Sequence, residues 1–136
     1  MTGTSAYWQD LVRDLEDPEF LREFVVESVR IATIDRVVNA LDDAREAAGV
    51  SKADLARAIQ VEPATIRRLF GSGRPNPTLG TLAEVAAALG VRVTIEPLTD
   101  DEQTHVTEPL LAGCTADTVG LAHHLQALRT GSASPV

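Results

Sequence analysis

The chain has 136 residues, 20 of them acidic and 12 basic, for a net charge of -8, and 44% of its side chains are apolar. That size fits one domain with extensions, and the apolar share is too high for a disordered acidic tail; aromatics at 4% predict an aliphatic core. No apolar run nears the roughly 20 residues of a membrane span, no secretory signal opens the chain, and the single Cys114 excludes an intrachain disulfide, so a cytoplasmic protein is expected.

Asp17-Pro18-Glu19 predicts a helix start: Asp17 caps, Pro18 occupies the first position and Glu19 meets the positive end of the dipole. Phe20, Leu21, Phe24 and Val25 follow as an apolar stripe. A second stripe at three-four spacing runs through Ile31, Ile34, Val37, Val38, Leu41, Ala44 and Ala48, and Gly49 ends it. One bent helix or two would satisfy 18–48, and a break would fall at Ile31-Ala32-Thr33. Ser51 caps a short helix to about Ile59, with Asp54 three residues on. Pro63 opens another that ends at Phe70, closed by Gly71-Ser72-Gly73. Thr78 caps a third, with Leu79, Leu82, Val85, Ala86 and Leu89 as its buried stripe and Gly90 as its end. Val91, Val93 and Ile95 alternate with Arg92, Thr94 and Glu96, which predicts a short strand stopped by Pro97. Residues 99–108 read as polar and mobile, 118–128 as a short helix, and 131–136 as a frayed end.

The charge is unevenly spread. Residues 1–50 hold 5 basic and 11 acidic side chains, and 99–136 hold 1 and 5, whereas 51–74 is cationic through Lys52, Arg57, Arg67, Arg68 and Arg74 against Asp54 and Glu62. A local basic patch governs phosphate contact more than the overall sum, because screening removes charges beyond about 8–10 Å.

Residues 51–70 have the spacing of two short helices joined by a tight turn. Ala56 is small where the helices cross, and Leu55, Ile59, Val61, Ile66 and Leu69 point inward. The second helix keeps an outward face of Ala64, Arg67 and Arg68, which an open major groove accepts. Arg57 has a partner within reach in Asp54, on its own helix.

Arg45 to Lys52, Leu55-Ala56, Thr65-Ile66 and Leu69 together resemble the Cro/CI (XRE) helix-turn-helix family. Pro77 to Leu82 and Ala87 to Val91 look like that family's fourth helix and exit, so the likeness covers about 33–96. Asp17 to Phe20, Asn39 to Leu41, Asn76 to Thr78 and Val91 to Ile95 are further similar to HigA-type antitoxins of addiction modules. The resemblance implies a dimeric repressor on a palindromic double-stranded DNA operator, with a small basic toxin as partner. It implies DNA contacts from Lys52, Pro63, Ala64, Thr65, Arg67, Arg68 and Arg74, in which Lys52, Thr65 and Arg74 fix register. The acidic segments 1–30 and 99–136 are the expected toxin surfaces. A stand-alone regulator, or an interaction module that has lost DNA binding, are the alternatives. The chain departs from the pattern at Gln60, where Gly is usual, at Lys52, where Gln is common, and at Pro63-Ala64, which replace polar residues. A left-handed Gln60 costs about 1 kcal/mol.

Catalysis, cofactors and metal are not expected. His123 and His124 are adjacent and so point about 100° apart on a helix, a poor chelate; Cys114 has no activating neighbour, and no Cys-x-x-Cys, His-Glu-x-x-His, Gly-x-Gly-x-x-Gly or Walker pattern occurs. Tyr7 and Trp8 are assigned to packing. The whole predicts an all-α, lambda-repressor-like helix-turn-helix domain over 33–98, an N-terminal helical extension over 1–32, one short strand, and an acidic, partly flexible tail over 99–136.

Overall fold

The computed structural model describes residues 3–71, 73 and 75–131. Its helices are α1 (Gly3–Asp14), α2 (Pro18–Ala48), α3 (Lys52–Ala58), α4 (Pro63–Phe70), α5 (Leu79–Ala88), α6 (Asp100–Glu102), α7 (Glu108–Ala112) and α8 (Thr118–Thr130), with a π-helical turn (Gln103–Thr107) joining α6 to α7. They belong to two compact units, one formed by 1–32 with 97–136 and the other by 33–96.

α2 is one helix. Asp17 accepts the Phe20 N–H at 2.9 Å as its cap, and neither Gly nor Pro interrupts 19–48, so nothing breaks the hydrogen-bond ladder at Ile31-Ala32-Thr33. The boundary between the units nevertheless falls between Ala32 and Thr33. Gly49 ends the helix at φ 69°, with Val50 N–H bonded back to the Arg45 carbonyl at 3.1 Å.

The first unit packs Leu11 and Leu15, Leu21 and Val25, Val106, and Leu121, Ala122 and Leu125 into one aliphatic core. Trp8, Phe20 and Phe24 lie against it half-buried. Ser28, fully buried, donates to the Phe24 carbonyl at 2.7 Å and accepts from Arg129 Nε at 2.8 Å; the Arg129 guanidinium also sits 4.1 Å from the Phe24 ring centroid. Arg22 donates to the Leu110 and Leu111 carbonyls at 3.0 and 2.9 Å, satisfying the end of α7. Gly113 follows at φ +79°, and a Cβ there would press on the Arg22 guanidinium at 3.0 Å.

Residues 99–108 are the largest departure from expectation. Thr99 and Glu102 form a capping box, with Thr99 N–H to Glu102 at 2.9 Å and Glu102 N–H to Thr99 Oγ1 at 3.1 Å. A helical run therefore stands where a mobile polar stretch was expected, and the Thr-x-x-Glu spacing was its overlooked signal. The π turn precedes Pro109, which has no N–H for the His105 carbonyl and whose ring would collide with it; widening the turn removes the conflict. α8 carries the expected helix to Thr130, with Gly131 at φ 78° as its cap. The rest of the expected frayed end, 132–136, lies outside the described residues.

The expected strand is absent: among the described residues no strand occurs, and 91–99 is irregular and exposed throughout. Val91 N–H bonds back to the Ala86 carbonyl at 2.9 Å, which spends the start of the segment on ending α5. Beyond it, the described residues offer no neighbouring edge for the alternating Val91, Val93 and Ile95 to pair with. No helix among the described residues is long and apolar enough to cross a membrane.

Candidate nucleic-acid interface

The second unit buries Leu41 from α2, Leu55 and Ala56 from α3, Ile66 and Leu69 from α4, and Val85, Ala86 and Leu89 around α5. Ile59 and Val61 of the turn pack on this core half-buried, as the inward positions predict. Leu79 does not: it is 70% exposed, because the first turn of α5 extends past the core, and of the expected stripe Val85, Ala86 and Leu89 are buried and Leu82 half-buried.

Ser51 caps α3 by accepting Asp54 N–H at 3.0 Å. The helix ends at Ile59, and Gln60 takes the left-handed conformation at φ 59°, the single non-glycine among the described residues to do so. Val61 N–H reaches the Ala56 carbonyl at 3.0 Å and Gln60 N–H the Arg57 carbonyl at 3.3 Å, the paired bonds of a Schellman ending with Gln in the position that favours Gly. Ala56 is 1% exposed, and its small side chain leaves room for α4 to cross. Burial of Ile66 and Leu69, with Val61 packed half-buried against them, holds Gln60 in that turn.

α4 then starts on Pro63, which needs no amide partner at that position. Ile66 and Leu69 anchor its inner side at 0% and 2% exposure, while Pro63, Arg67 and Arg68 are exposed and Ala64 and Thr65 half-buried. Ala64, Arg67, Arg68, Gly71, Gly73 and Pro75 line a surface cleft of about 480 Å³. The chain folds tightly over the last turn of α4: a Cβ on Gly71 would lie 2.8 Å from the Arg67 carbonyl oxygen. Lys52 is exposed at the start of α3. Among the described residues, Lys52, Arg67 and Arg68 enter no ion pair, whereas Arg57 pairs with Asp54 on its own helix. The structure thus gathers Ala64, Arg67 and Arg68 at one cleft and holds Lys52 and Thr65 on the same helix pair. Arg74 lies outside the described residues.

Residues 36–96 match the family described as a helix-turn-helix domain. The two crossed helices, the Schellman turn and the exposed arginines fall inside that span, which supports a DNA-binding regulator. Neither the curated proteins nor the solved structures give a significant match to the chain.

Sequence reasoning missed Arg45. Its guanidinium, 14% exposed, donates to Asp42 at 2.9 Å and to the Val50 carbonyl at 3.0 Å, and lies 5.9 Å from the Phe70 ring centroid. It ties the end of α2 to the entry of α3 and the exit of α4, and so helps aim the candidate reading helix. The three-residue step from Asp42 was the available signal.

Proposed function

We propose that the protein is a sequence-specific, non-enzymatic transcriptional repressor that binds a palindromic operator as a dimer. α4 enters the major groove, Arg67 and Arg68 reach base edges or phosphates, and Lys52 and Thr65, with Arg74, fix register on the backbone. The observation that carries this reading is the pair of exposed arginines, engaged in no ion pair among the described residues, at the cleft on the outer face of α4. The exposed run of Val91, Val93, Ile95 and Leu98 supports self-association, since apolar segments of this kind mark contact surfaces on soluble chains.

The antitoxin reading rests on charge. The unit formed by 1–32 and 97–136 holds 4 basic and 12 acidic side chains, while 33–96 holds 8 of each. The whole net charge of the chain therefore resides outside the helix-turn-helix unit, on a surface suited to a small basic protein.

Fluorescence anisotropy with the protein's own promoter, at several salt concentrations, tests the proposal. Binding is expected to weaken with salt at a log–log slope of about 0.9 per neutralised phosphate, and the double variant Arg67→Ala/Arg68→Ala should lose specific binding while keeping its helical circular dichroism. Operator affinity unchanged in that variant overturns the assignment of the reading face. Adding the product of the neighbouring gene tests the toxin partner, and sedimentation at micromolar concentration tests the dimer. A protein that binds this product but no DNA is the interaction module, a reading favoured by the apolar Pro63-Ala64 start of α4.

A further inference from the structure

Asp101, His105 and His124 come together where α6 and the π turn meet α8, and one potential ligand atom from each lies within 4.8 Å of the others. Asp101 and His105 are four residues apart and so share a face of the helical run, and α8 supplies His124 from 19 positions further along the chain. His105 Nδ1 lies 3.4 Å from Asp101 Oδ1 and His124 Nδ1 3.9 Å from Asp101 Oδ2, so both rings turn the same nitrogen toward one carboxylate. The rings stack at 4.8 Å between centroids with planes 13° apart.

We propose that these three side chains form a binding site for a divalent transition-metal ion of the kind imidazole prefers, for which Zn²⁺ is the probe. The donor chemistry decides the class: two imidazoles and one carboxylate suit Zn²⁺ and its neighbours, whereas Mg²⁺ and Ca²⁺ require oxygen throughout. Ligand atoms around a tetrahedral ion at about 2.0–2.1 Å stand roughly 3.3 Å apart, so the cluster closes onto an ion by a shift of about 1.5 Å and a turn of one ring out of the stack, since a ligating nitrogen holds the ion in its own ring plane. Of the two rings His105 is the more exposed, at 23% against 12% for His124, and it makes that turn, with Asp101, 73% exposed, free to follow.

The condition of His124 is a second observation. Its side chain is only 12% exposed, its Nε2 is buried with no hydrogen-bond partner, and its Nδ1 is too far from the carboxylate for a hydrogen bond. The ring nitrogen that faces the carboxylate is thus committed to no hydrogen bond, and Nδ1 is available to an ion without breaking one. Asp101 and Glu102 bring negative charge toward it, and burial keeps the ring in the neutral form that ligates metal. In the metal-free protein His105 Nδ1 donates to the Asp101 carbonyl at 3.0 Å; ligation requires the ring to turn out of that bond and to carry its hydrogen on Nε2 instead, leaving the Nδ1 lone pair for the ion. Three protein ligands leave a coordination position for water or an incoming ligand. His123 is no part of the site, because its ring packs against Trp8 at 4.3 Å between centroids.

Isothermal titration of the full chain with ZnCl₂, together with the visible spectrum of its Co²⁺ form, tests the site. One equivalent of Zn²⁺ is expected to bind and raise the thermal midpoint, with Co²⁺ showing the intense bands of tetrahedral coordination. Loss of a supporting contact already weakens metal sites by about 10–100-fold, so Asp101→Asn and His105→Gln should each weaken Zn²⁺ by at least that lower factor. His123→Gln should bind as tightly as the parent. Asp101 and His105 are chosen because His124 is buried enough for its replacement to disturb folding. Zn²⁺ affinity equal in the parent, Asp101→Asn and His105→Gln, or Mg²⁺ competing on equal terms, overturns the proposal, as does a parent chain that binds no Zn²⁺.

Discussion

Arg45 Nη1 donates to the Val50 carbonyl at 3.0 Å, closing the last turn of α2 onto the residue that leads into α3. The same guanidinium is paired with Asp42 and faces the Phe70 ring, and with 14% exposure little of it is screened by water. Hydrogen bonds that involve a charged group contribute about 1.5–3 kcal/mol when removal strands the partner. Arg45→Ala is therefore expected to lower stability by about 2 kcal/mol, read as a shifted urea midpoint. Arg45→Lys should recover little of the loss, because an ammonium lacks the planar fork that spans Asp42 and Val50. An unchanged midpoint in Arg45→Ala would show the clamp to be idle.

Gln60 stores strain in the turn between α3 and α4. Its φ of 59° is a conformation that glycine adopts without penalty. Gln60→Gly relieves about 1 kcal/mol of strain and returns part of it as added freedom of the unfolded chain, so a net gain below about 1 kcal/mol is expected. Gln60→Val should destabilise, since a β-branched side chain tolerates positive φ least. Stability ordered Val above Gln would refute this account of the turn.

The sequence made these local features legible where one short-range signal sufficed. The caps at Asp17, Ser51 and Thr78, the glycine ending at Gly49 and the left-handed Gln60 each depend on residues within a few positions. The inward positions of α3 and α4 were legible for the same reason, because helix period alone separates Leu55, Ile66 and Leu69 from Arg67 and Arg68. Long-range facts were not. Alternation from Val91 to Ile95 specifies a strand only when an edge is available to pair with, and the described residues supply none. Asp101, His105 and His124 are separated by enough chain that only the packing of α8 brings them together, and attention to the adjacent histidines hid the four-residue step from Asp101 to His105.

Ile66 and Leu79 should respond very differently to truncation, although periodicity assigns both to buried faces. Ile66 is 0% exposed, and Ile66→Ala removes packed methylenes and leaves a cavity, at a cost of about 2–5 kcal/mol. Leu79 stands in solvent at the start of α5, so Leu79→Ala should stay within about 0.5 kcal/mol of the parent. Thermal denaturation of the two variants side by side measures the contrast, and a large loss at Leu79 would mean that this residue is covered in an assembly.

Lys52 offers a separable test of how the DNA interface works. It is exposed, enters no ion pair among the described residues, and sits at the start of α3 rather than on α4. If it contacts a phosphate, Lys52→Ala weakens binding to all sequences alike and reduces the salt slope by about 0.9. Sequence preference should be retained. A variant that loses discrimination at one base pair, with its salt slope intact, would place Lys52 on a base edge instead.

His124 gives the metal-free protein a pH dependence of definite sign. Burial is the main influence and the neighbouring His105 the next, and together they hold its pKa below the ordinary 6.5; Asp101 and Glu102 act in the opposite direction and do not prevail. In the folded state the ring therefore resists a proton that it accepts once unfolded. The unfolded chain binds more protons below pH 6.5, so the contribution of His124 is fully present above that pH and declines as the pH falls toward the folded-state value. Urea denaturation in the presence of a chelator, for the parent and for His124→Leu, isolates this term as the difference between two curves. The difference should be flat above neutrality and shift against the parent below pH 6.5; a difference growing in the parent's favour on acidification would mean that Asp101 and Glu102 dominate and the folded ring is the charged one.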